Sequence, residues 1–523
     1  MRFLCAVLAV LIVAVALRTW HLDVRPMHGD EAVHAYKFGQ LLEENKYRYD
    51  PAEFHGPALN YFTLVPAWLC RQHTYASLTE TTVRIVPVFF GLILVLMSLL
   101  LADGLGKSVA LIAAAFSAIS PAFVFYSRYY IPEMLLVCFT FGVIVCGYRY
   151  TRRQKRIWAL LTGLFAGLCF ATKETSVIAF GAIVVALTIV LLIRRDGRPA
   201  IELVHSNHLI LAIAGAIAVW ALFYSSFFTN SAGLLDSFRS FATYFSRAGN
   251  NQLHIHPWYY YLKLLIYNKA SMGPAWTEGF IVILAMVGLI VVITKRGVLG
   301  LDPGLLNFIA IYTAIMTVIY SAIPYKTPWC LLSFYQGMIL LAAIGVVAVI
   351  RLLERTSARV VVVVFFLTAA TDLVLQSLSP GFIPNVDLSN PYVYAHSTAD
   401  VLKVAERIEQ VSDAYPAKKA MPILVVCPGG DYWPLPWYLR SFKNVGWYND
   451  VKEVNTPAPV VIAAAQLQGE LINKLYNLSP PGQKNLYIPL FDKYLELRPQ
   501  VELRGYITKD LLDESRQQNS ESK

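Results

Sequence analysis

The chain has 523 residues, of which 56% are hydrophobic and 15% charged, and its mean hydropathy is +0.51. Soluble domains carry about 25% charged residues, so the composition excludes an ordinary soluble enzyme and points to a polytopic membrane protein. The formal charge of +10 is then no argument for nucleic acid, and the seven cysteines, with no CxxC pair or metal spacing, predict neither a disulfide framework nor a thiolate metal site.

Residues 1–19 read as Arg2 followed by an apolar run. Arg18, Trp20 and His21 stand where a small-residue cleavage site would be needed, so an uncleaved first span is expected rather than a signal peptide. A spanning helix takes about 20 mainly apolar residues. Eleven segments qualify: 3–20, 83–102, 107–125, 132–150, 157–172, 176–193, 208–227, 278–294, 304–322, 329–350 and 359–377. The piece 57–69 is short, carries two prolines, and reads as a helix lying in or dipping into the interface.

The basic clusters fix the orientation. "RYTRRQKR" (149–156), "RRDGRP" (194–199), "KRG" (295–297) and the turn from Arg351 to Arg359 all fall on the side of Met1, which the positive-inside rule makes cytoplasmic. The expected fold is mainly α, with a membrane domain over 1–377 and two long external segments, 21–82 and 228–277. Aromatic residues Trp258 to Tyr261 in the second suit an interfacial belt. Residues 378–523 are expected to form a small extracytoplasmic α/β domain. In it "TADVLKVAERIEQV" (398–411) is an amphipathic helix, and "MPILVVC" (421–427) and "APVVIAAA" (458–465) resemble buried strands. Gly429 and Gly430 mark a tight turn, and about 513–523 reads as disordered.

The charged residues of the external face carry the functional argument. "RPMHGDEAVHAYKFGQ" (25–40) sets Asp30 and Glu31 side by side between His28 and His34. Alone, the stretch suits Asp30 as an N-cap and Glu31 as a first-turn residue facing the helix dipole. Four further segments add charge on the same side: His55 in "FHGPALNYF", Arg128 and Glu133 in "YSRYYIPEMLL", Lys173 and Glu174 in "FATKETSV", and Lys326 in "AIPYKTPWCLL", where Trp329 follows. The short connections hold these charges near membrane depth, where charge is costly and faces a cavity or a partner. Acids and bases in one outward cavity suit a lipid phosphate. Arg128, Lys173 and Lys326 would hold the phosphate and stabilise it as it leaves. A carboxylate would take the proton of an acceptor hydroxyl attacking the sugar carbon. A divalent metal is an open expectation, with His28, His34, His55, His254 and His256 as available ligands.

The acidic pair in the first external loop, then "HGPALNYF", "SRYYIPE" and "ATKET" in that order, resembles the multi-spanning GT-C glycosyltransferases of the protein O-mannosyltransferase and aminoarabinose-transferase type. With "YKTPWCLL" and "GGDYWPLPWYLR" it is most similar to the prokaryotic branch described as flippase-activity-associated membrane proteins. The resemblance spans about residues 1–450. It implies a polyprenyl-phosphate sugar donor, an acceptor glycan, lipid or protein, transfer outside the cytoplasmic membrane, and Asp30 as base with Glu31 beside it. It also matches Glu133 to the acidic residue that opens the fourth span, and Arg128 and Lys173 to basic positions near the donor phosphate. His28, His55, Glu174 and Trp329 are further substrate-binding candidates. The competing reading is a flippase or transporter component that handles lipid-linked sugars without chemistry, but the charges gather at one face and not at midplane, and no paired broken helices are visible.

Overall fold

The structure is a computed structural model that describes residues 1–52, 55–193, 205–250, 254–269, 274–298, 300–382, 389–478 and 485–521. The predicted connection 194–199 lies outside the described residues. The chain is a multi-pass membrane protein. Among the described residues nine helices are long and apolar enough to cross a membrane, and two shorter apolar helices join them. Together they correspond one for one to the eleven predicted spans.

The bundle opens with α1 (Arg2–Thr19) and α4 (Glu80–Leu99). Two helices of the first loop, α2 (Gly29–Glu44) and α3 (Ala58–Leu69), lie between them. Next come α5 (Ala102–Ile119), α6 (Pro121–Ser127), α7 (Glu133–Arg153), α8 (Arg156–Phe170), α9 (Ser176–Ile193) and α10 (Ser206–Tyr224). The predicted span 107–125 is broken at Ser120–Pro121. Pro121 lacks the N–H that would continue α5 and serves as the first residue of α6. The second long loop carries α11 (Ala232–Asn250) and α12 (Tyr260–Ile266), with a two-stranded pair β1 (Asn268–Lys269) and β2 (Ala275–Trp276). Last come α13 (Gly279–Thr294), α14 (Pro303–Ala322), α15 (Leu332–Leu352) and α16 (Thr356–Phe382).

Buried cations tie the helix ends together. Arg18, fully buried at the end of α1, donates to the carbonyls of Ser117 and Ala118 at 2.8 Å. A cation there meets the negative end of the α5 dipole. The carboxylate of Glu278, just ahead of α13, accepts from the Ala122 N–H at 2.8 Å and from the hydroxyls of Ser120 and Tyr335. It thereby satisfies the open N-terminus of α6.

Close helix pairs rely on missing side chains. A Cβ on Gly288 of α13 would stand 1.9 Å from the Leu341 carbonyl oxygen of α15, and one on Gly345 2.4 Å from that of Leu284. Small residues let membrane helices approach and gain dispersion contacts where no water is expelled. Gly288→Val is expected to push α13 from α15 and lower stability by at least 1–3 kcal/mol. Thermal unfolding in detergent reads this directly.

The tail forms a mixed sheet. Its strands are β3 (Ile423–Val426), β4 (Val445–Tyr448), β5 (Val460–Ala464), β6 (Tyr487–Pro489), β7 (Leu495–Arg498) and β8 (Val501–Thr508), in the order β4-β3-β5-β8-β6 with β7 beside β8. The first three run parallel, and β8 is antiparallel to β5, β6 and β7. Ile423, Val425, Val460 and Ile462 pack on α17 (Asp400–Ser412), while Leu424, Val426, Val461 and Ala463 face α19 (Gln468–Leu478), as the two-residue strand period requires. Gly429 and Gly430, at φ +67° and +72°, make the turn after β3 that only glycine adopts at no cost. The end of the chain differs from the sequence reading. In place of disorder from about 513, the helix α20 runs over Lys509–Glu521, because Leu511 and Leu512 bury against the sheet.

The tail is joined to the first loop through the short helix α18 (Leu435–Tyr438). The Tyr438 hydroxyl accepts from the Met27 N–H at 2.8 Å, Trp437 Nε1 donates to Glu80 at 2.7 Å, and Arg440 donates to the Leu78 carbonyl at 2.7 Å.

Candidate active site

The site is assembled around the start of α2. His28, not Asp30, is the N-cap. Its Nδ1 accepts the Asp30 N–H at 2.9 Å, and Glu31 reaches back to the His28 N–H at 3.0 Å, a capping box with histidine in the role usually taken by serine. Because Nδ1 accepts, the ring proton sits on Nε2 and is given to the Tyr394 carbonyl at 3.0 Å. Burial lowers the His28 imidazole further from protonation. His28 also packs edge-on against Tyr129 and Trp329. It is thus a fastener between the first loop and the tail.

This arrangement sends two adjacent carboxylates in different directions. Glu31 is fully buried. Arg84 grips it with Nε at 2.8 Å and Nη2 at 2.9 Å, Arg25 donates at 3.0 Å, and the backbone N–H groups of His28 and Tyr130 donate at 3.0 and 2.9 Å. Burial pushes its carboxyl up, but Arg25 and Arg84 outweigh this and hold it down at about 2. With five donors on two oxygens and no exposed surface, Glu31 has no lone pair for a substrate. The catalytic role predicted for it is corrected to an electrostatic clamp that fixes α2. Asp30, by contrast, has a side chain 50% exposed, and its carboxylate accepts no hydrogen bond from a described residue.

The remaining predicted residues separate in the same way. Lys173 Nζ pairs with Glu133 Oε1 at 2.5 Å, and both side chains are buried. Glu133 Oε2 is buried without a partner among the described residues. Glu174 takes His55 Nδ1 on one oxygen at 2.9 Å and the Tyr49 hydroxyl on the other at 3.2 Å. The Ala58 N–H donates to the Ala171 carbonyl at 2.9 Å, which pins the first loop to the α8–α9 connection. His34, one turn along α2 from Asp30, stacks with His55 at 6.2 Å. Burial takes its imidazole down to about 3, with His55 and Lys173 adding to the shift and Asp30 opposing it. Asp30, His34, His55, Lys173, Glu174 and Glu133 therefore form one neighbourhood, built from three separated connections at the same end of the bundle.

Arg128 and Lys326 are not in that set. The Arg128 guanidinium donates to the carbonyls of Leu17, Trp20 and His21 at 3.2, 2.6 and 2.9 Å. Lys326 Nζ donates to the carbonyls of His256, at 3.2 Å, and Ile323. Each caps the C-terminal end of a helix, where orphan carbonyls attract a cation. Their predicted contact with a donor phosphate is corrected accordingly. Trp329 is buried in the wall beside His28 and Tyr129. No group of three His, Cys, Asp or Glu converges as metal ligands among the described residues. Of the five histidines named as available ligands, His28 spends both ring nitrogens on the backbone and His55 gives Nδ1 to Glu174.

Sequence reasoning missed Arg84 and Arg25. Arg84 lies inside a predicted span, and a charge in an apolar segment is a signal that a buried partner exists. That partner is Glu31. A narrow groove, also unforeseen, runs between α7, α14 and α15, lined by Val137, Thr140, Phe141, Tyr312, Gln336 and Leu340 among others. Positions 137, 140 and 141 follow Glu133 at helical spacing, so the groove descends along the face of α7 that begins at the Glu133–Lys173 pair.

Residues 8–235 match the family of dolichyl-phosphate-mannose-protein mannosyltransferases. The structure of ArnT from Cupriavidus metallidurans, bound to undecaprenyl phosphate, is similar with a TM-score of 0.63 at 15% identity, over 96% of this chain and 97% of that one. The archaeal oligosaccharyltransferase AglB from Archaeoglobus fulgidus, in complex with an inhibitory peptide and a dolichol-phosphate, gives 0.58 at 10% identity, over 91% of this chain and 72% of that one. No curated protein matches the sequence.

Proposed function

We propose that this chain, which has the GT-C fold of membrane glycosyltransferases, transfers a sugar from a polyprenyl-phosphate carrier to an acceptor hydroxyl on the outer side of the cytoplasmic membrane. The observation that carries this reading is the division of labour between the two carboxylates of α2. Glu31 is locked, and its lock presents Asp30 as an open, half-exposed base beside a buried lysine and two histidines. In transfer, Asp30 takes the acceptor proton as the hydroxyl attacks the anomeric carbon. The bond from that carbon to the phosphate oxygen breaks, and its electron pair stays on the phosphate. Lys173, oriented by Glu133, stabilises the charge that develops there. The basic connections support an N-terminus in the cytoplasm and a site outside.

The reading is tested by giving membranes that contain the protein a radiolabelled sugar–phosphate–polyprenol together with cell-envelope acceptors. Labelled acceptor should accumulate in step with released polyprenyl monophosphate. Movement of label across the bilayer with no bond broken would favour a flippase instead. Lys173→Met is expected to raise the donor KM about 10-fold or more, the scale of one charge-assisted hydrogen bond. The acceptor KM should hold. A fall in thermal stability alone, with donor KM unchanged, would remove Lys173 from the site.

A further inference from the structure

The two tryptophans that follow β3 have different surroundings. Trp437 is fully buried, gives its Nε1–H to Glu80, and carries the Arg440 guanidinium over its ring at 4.0 Å. Trp433 is half-buried, and its indole N–H has no hydrogen-bond partner among the described residues. It stands against the start of α2. Its Cβ lies 3.6 Å from where a Cβ on Gly29 would be, and its ring meets that of Tyr36 edge-on at 5.9 Å. Tyr432 packs beside it at 6.1 Å, and Trp447 of β4 beside Tyr432 at 4.9 Å. Tyr36 is 41% exposed, and Tyr432 and Trp447 are half-buried. Their hydroxyls and N–H also lack partners among the described residues. Four rings with open polar edges therefore form a row next to Asp30.

We propose that this row is the acceptor subsite and that it takes a glycan, one sugar ring of which stacks on Trp433 and Tyr36 while a hydroxyl of the same glycan reaches Asp30. This inference rests on the reading given under Proposed function and supplies the acceptor class that it leaves open. Position in the sheet supports it first. β4 and β5 flank β3 on opposite sides and run parallel to it, so the strand order reverses at β3. The loop 427–434, which leaves the carboxyl end of β3, carries Tyr432 and Trp433. Open α/β sheets hold ligands in the crevice outside the carboxyl ends of their strands at such a switch point. Direction round α2 supports it next. Gly29 and Tyr36, seven residues apart, share the face that meets Trp433. Asp30 is turned about 100° from that face, and His34, four residues on, continues the turn toward His55 and Lys173. The base thus stands between the aromatic row and the buried lysine, the order that transfer from donor to acceptor requires.

The chemistry of the row selects the ligand class. A sugar ring has an apolar C–H face and a rim of hydroxyls. Half-exposed aromatic rings cover the face. The free indole and phenol edges serve the rim, together with the neighbouring Asp431, whose carboxylate Arg498 holds. An acyl chain in the same place would cover those polar groups without pairing them, which is costly. The hydroxyl that reaches Asp30 gives it the proton as its oxygen bonds to the anomeric carbon and the phosphate leaves with the electron pair of the broken bond. Trp433 also packs on α2, so a binding role and a structural role must be told apart. Loss of stacking acts on the acceptor alone. Loss of packing would shift α2 and Asp30 with it, and would lower kcat and stability as well.

The test uses the full chain in detergent with two probes, the oligosaccharide fraction released from the cell envelope by mild acid and a tryptic digest of envelope proteins. Binding is followed by titration calorimetry, and transfer with the radiolabelled sugar–phosphate–polyprenol. The oligosaccharides should bind the wild type and accept label, and the peptides should do neither. Trp433→Ala should raise the oligosaccharide Kd and the acceptor KM about 10-fold, the scale of one lost aromatic contact, with the donor KM and kcat unchanged. Trp433→Tyr, which keeps a ring, should recover most of the loss. Should Trp433→Ala not fold, Tyr36→Ala, which removes an exposed ring, reads the same split. If neither change moves the acceptor KM, or if kcat and thermal stability fall while it holds, the inference is overturned and the glycosyltransferase reading stands. Label accepted by the peptides and not by the oligosaccharides overturns it equally. If the oligosaccharides bind in a Trp433-dependent way but never receive label, the glycosyltransferase reading fails while the glycan site stands.

Discussion

Asp30→Asn is expected to cut the rate of sugar transfer by 10²–10⁴-fold, the range a positioned general base contributes, while binding of polyprenyl monophosphate stays within about twofold of wild type. The substitution is nearly isosteric. It keeps an oxygen at the start of α2 and removes only the capacity to accept the acceptor proton. The helix loses a favourable charge in its first turn, worth about 0.3–1 kcal/mol at an exposed position, so the fold should survive. The capping box does not involve the Asp30 side chain, since His28 and Glu31 supply it. Single-turnover transfer, followed by release of polyprenyl monophosphate, separates the chemical step from binding. Retention of more than a tenth of the wild-type rate would remove Asp30 as the base and leave Glu133, whose Oε2 has no partner among the described residues, as the next carboxylate to examine.

What the sequence disclosed and what it withheld follow from the range of the interactions. Apolar runs and flanking basic clusters are local, so all eleven apolar helices, the short helix α3, and the strands β3 and β5 were legible. The Ser120–Pro121 break shows the limit of that signal. Hydropathy passes smoothly through a proline that ends one helix and starts the next, and the short α6 it creates is what carries Arg128 toward α1. The charged residues of the external connections were legible as candidates, but their partners were not. A cation such as Arg128 or Lys326 reads alike in sequence whether it faces a ligand or a row of orphan carbonyls, and only the folded helix ends decide. The Asp30–Glu31 pair was ambiguous for the same reason. Neighbours in α2 point about 100° apart, and what lies in each direction comes from α4, α6 and the tail. The α20 helix was missed because its two anchoring leucines are outweighed locally by the polar run that follows them.

The buried clamp gives the largest effect expected on stability. Glu31→Gln leaves Arg84, itself fully buried, and Arg25 without a counter-charge, and the loss of one partner from such a network costs about 3–5 kcal/mol. The acid limb of the stability curve gives an independent measure. The Glu31 carboxyl falls from its ordinary 4.5 to about 2 on folding, so the folded state binds the proton less well than the unfolded one. The stabilisation is therefore complete above about pH 5 and is lost as pH falls through 4 toward 2, about 3 kcal/mol in all. Thermal unfolding in detergent at stepped pH should show that slope in the wild type and a flatter one in Glu31→Gln. A double-mutant cycle with Arg84→Met should return a coupling well above the 0–1 kcal/mol of an exposed pair. If Glu31→Gln unfolds at the wild-type temperature with an unchanged acid limb, the clamp is not what fixes α2. Asp30 would then owe its position to packing against the tail, through the Trp433 side chain that lies 3.6 Å from where a Cβ on Gly29 would stand.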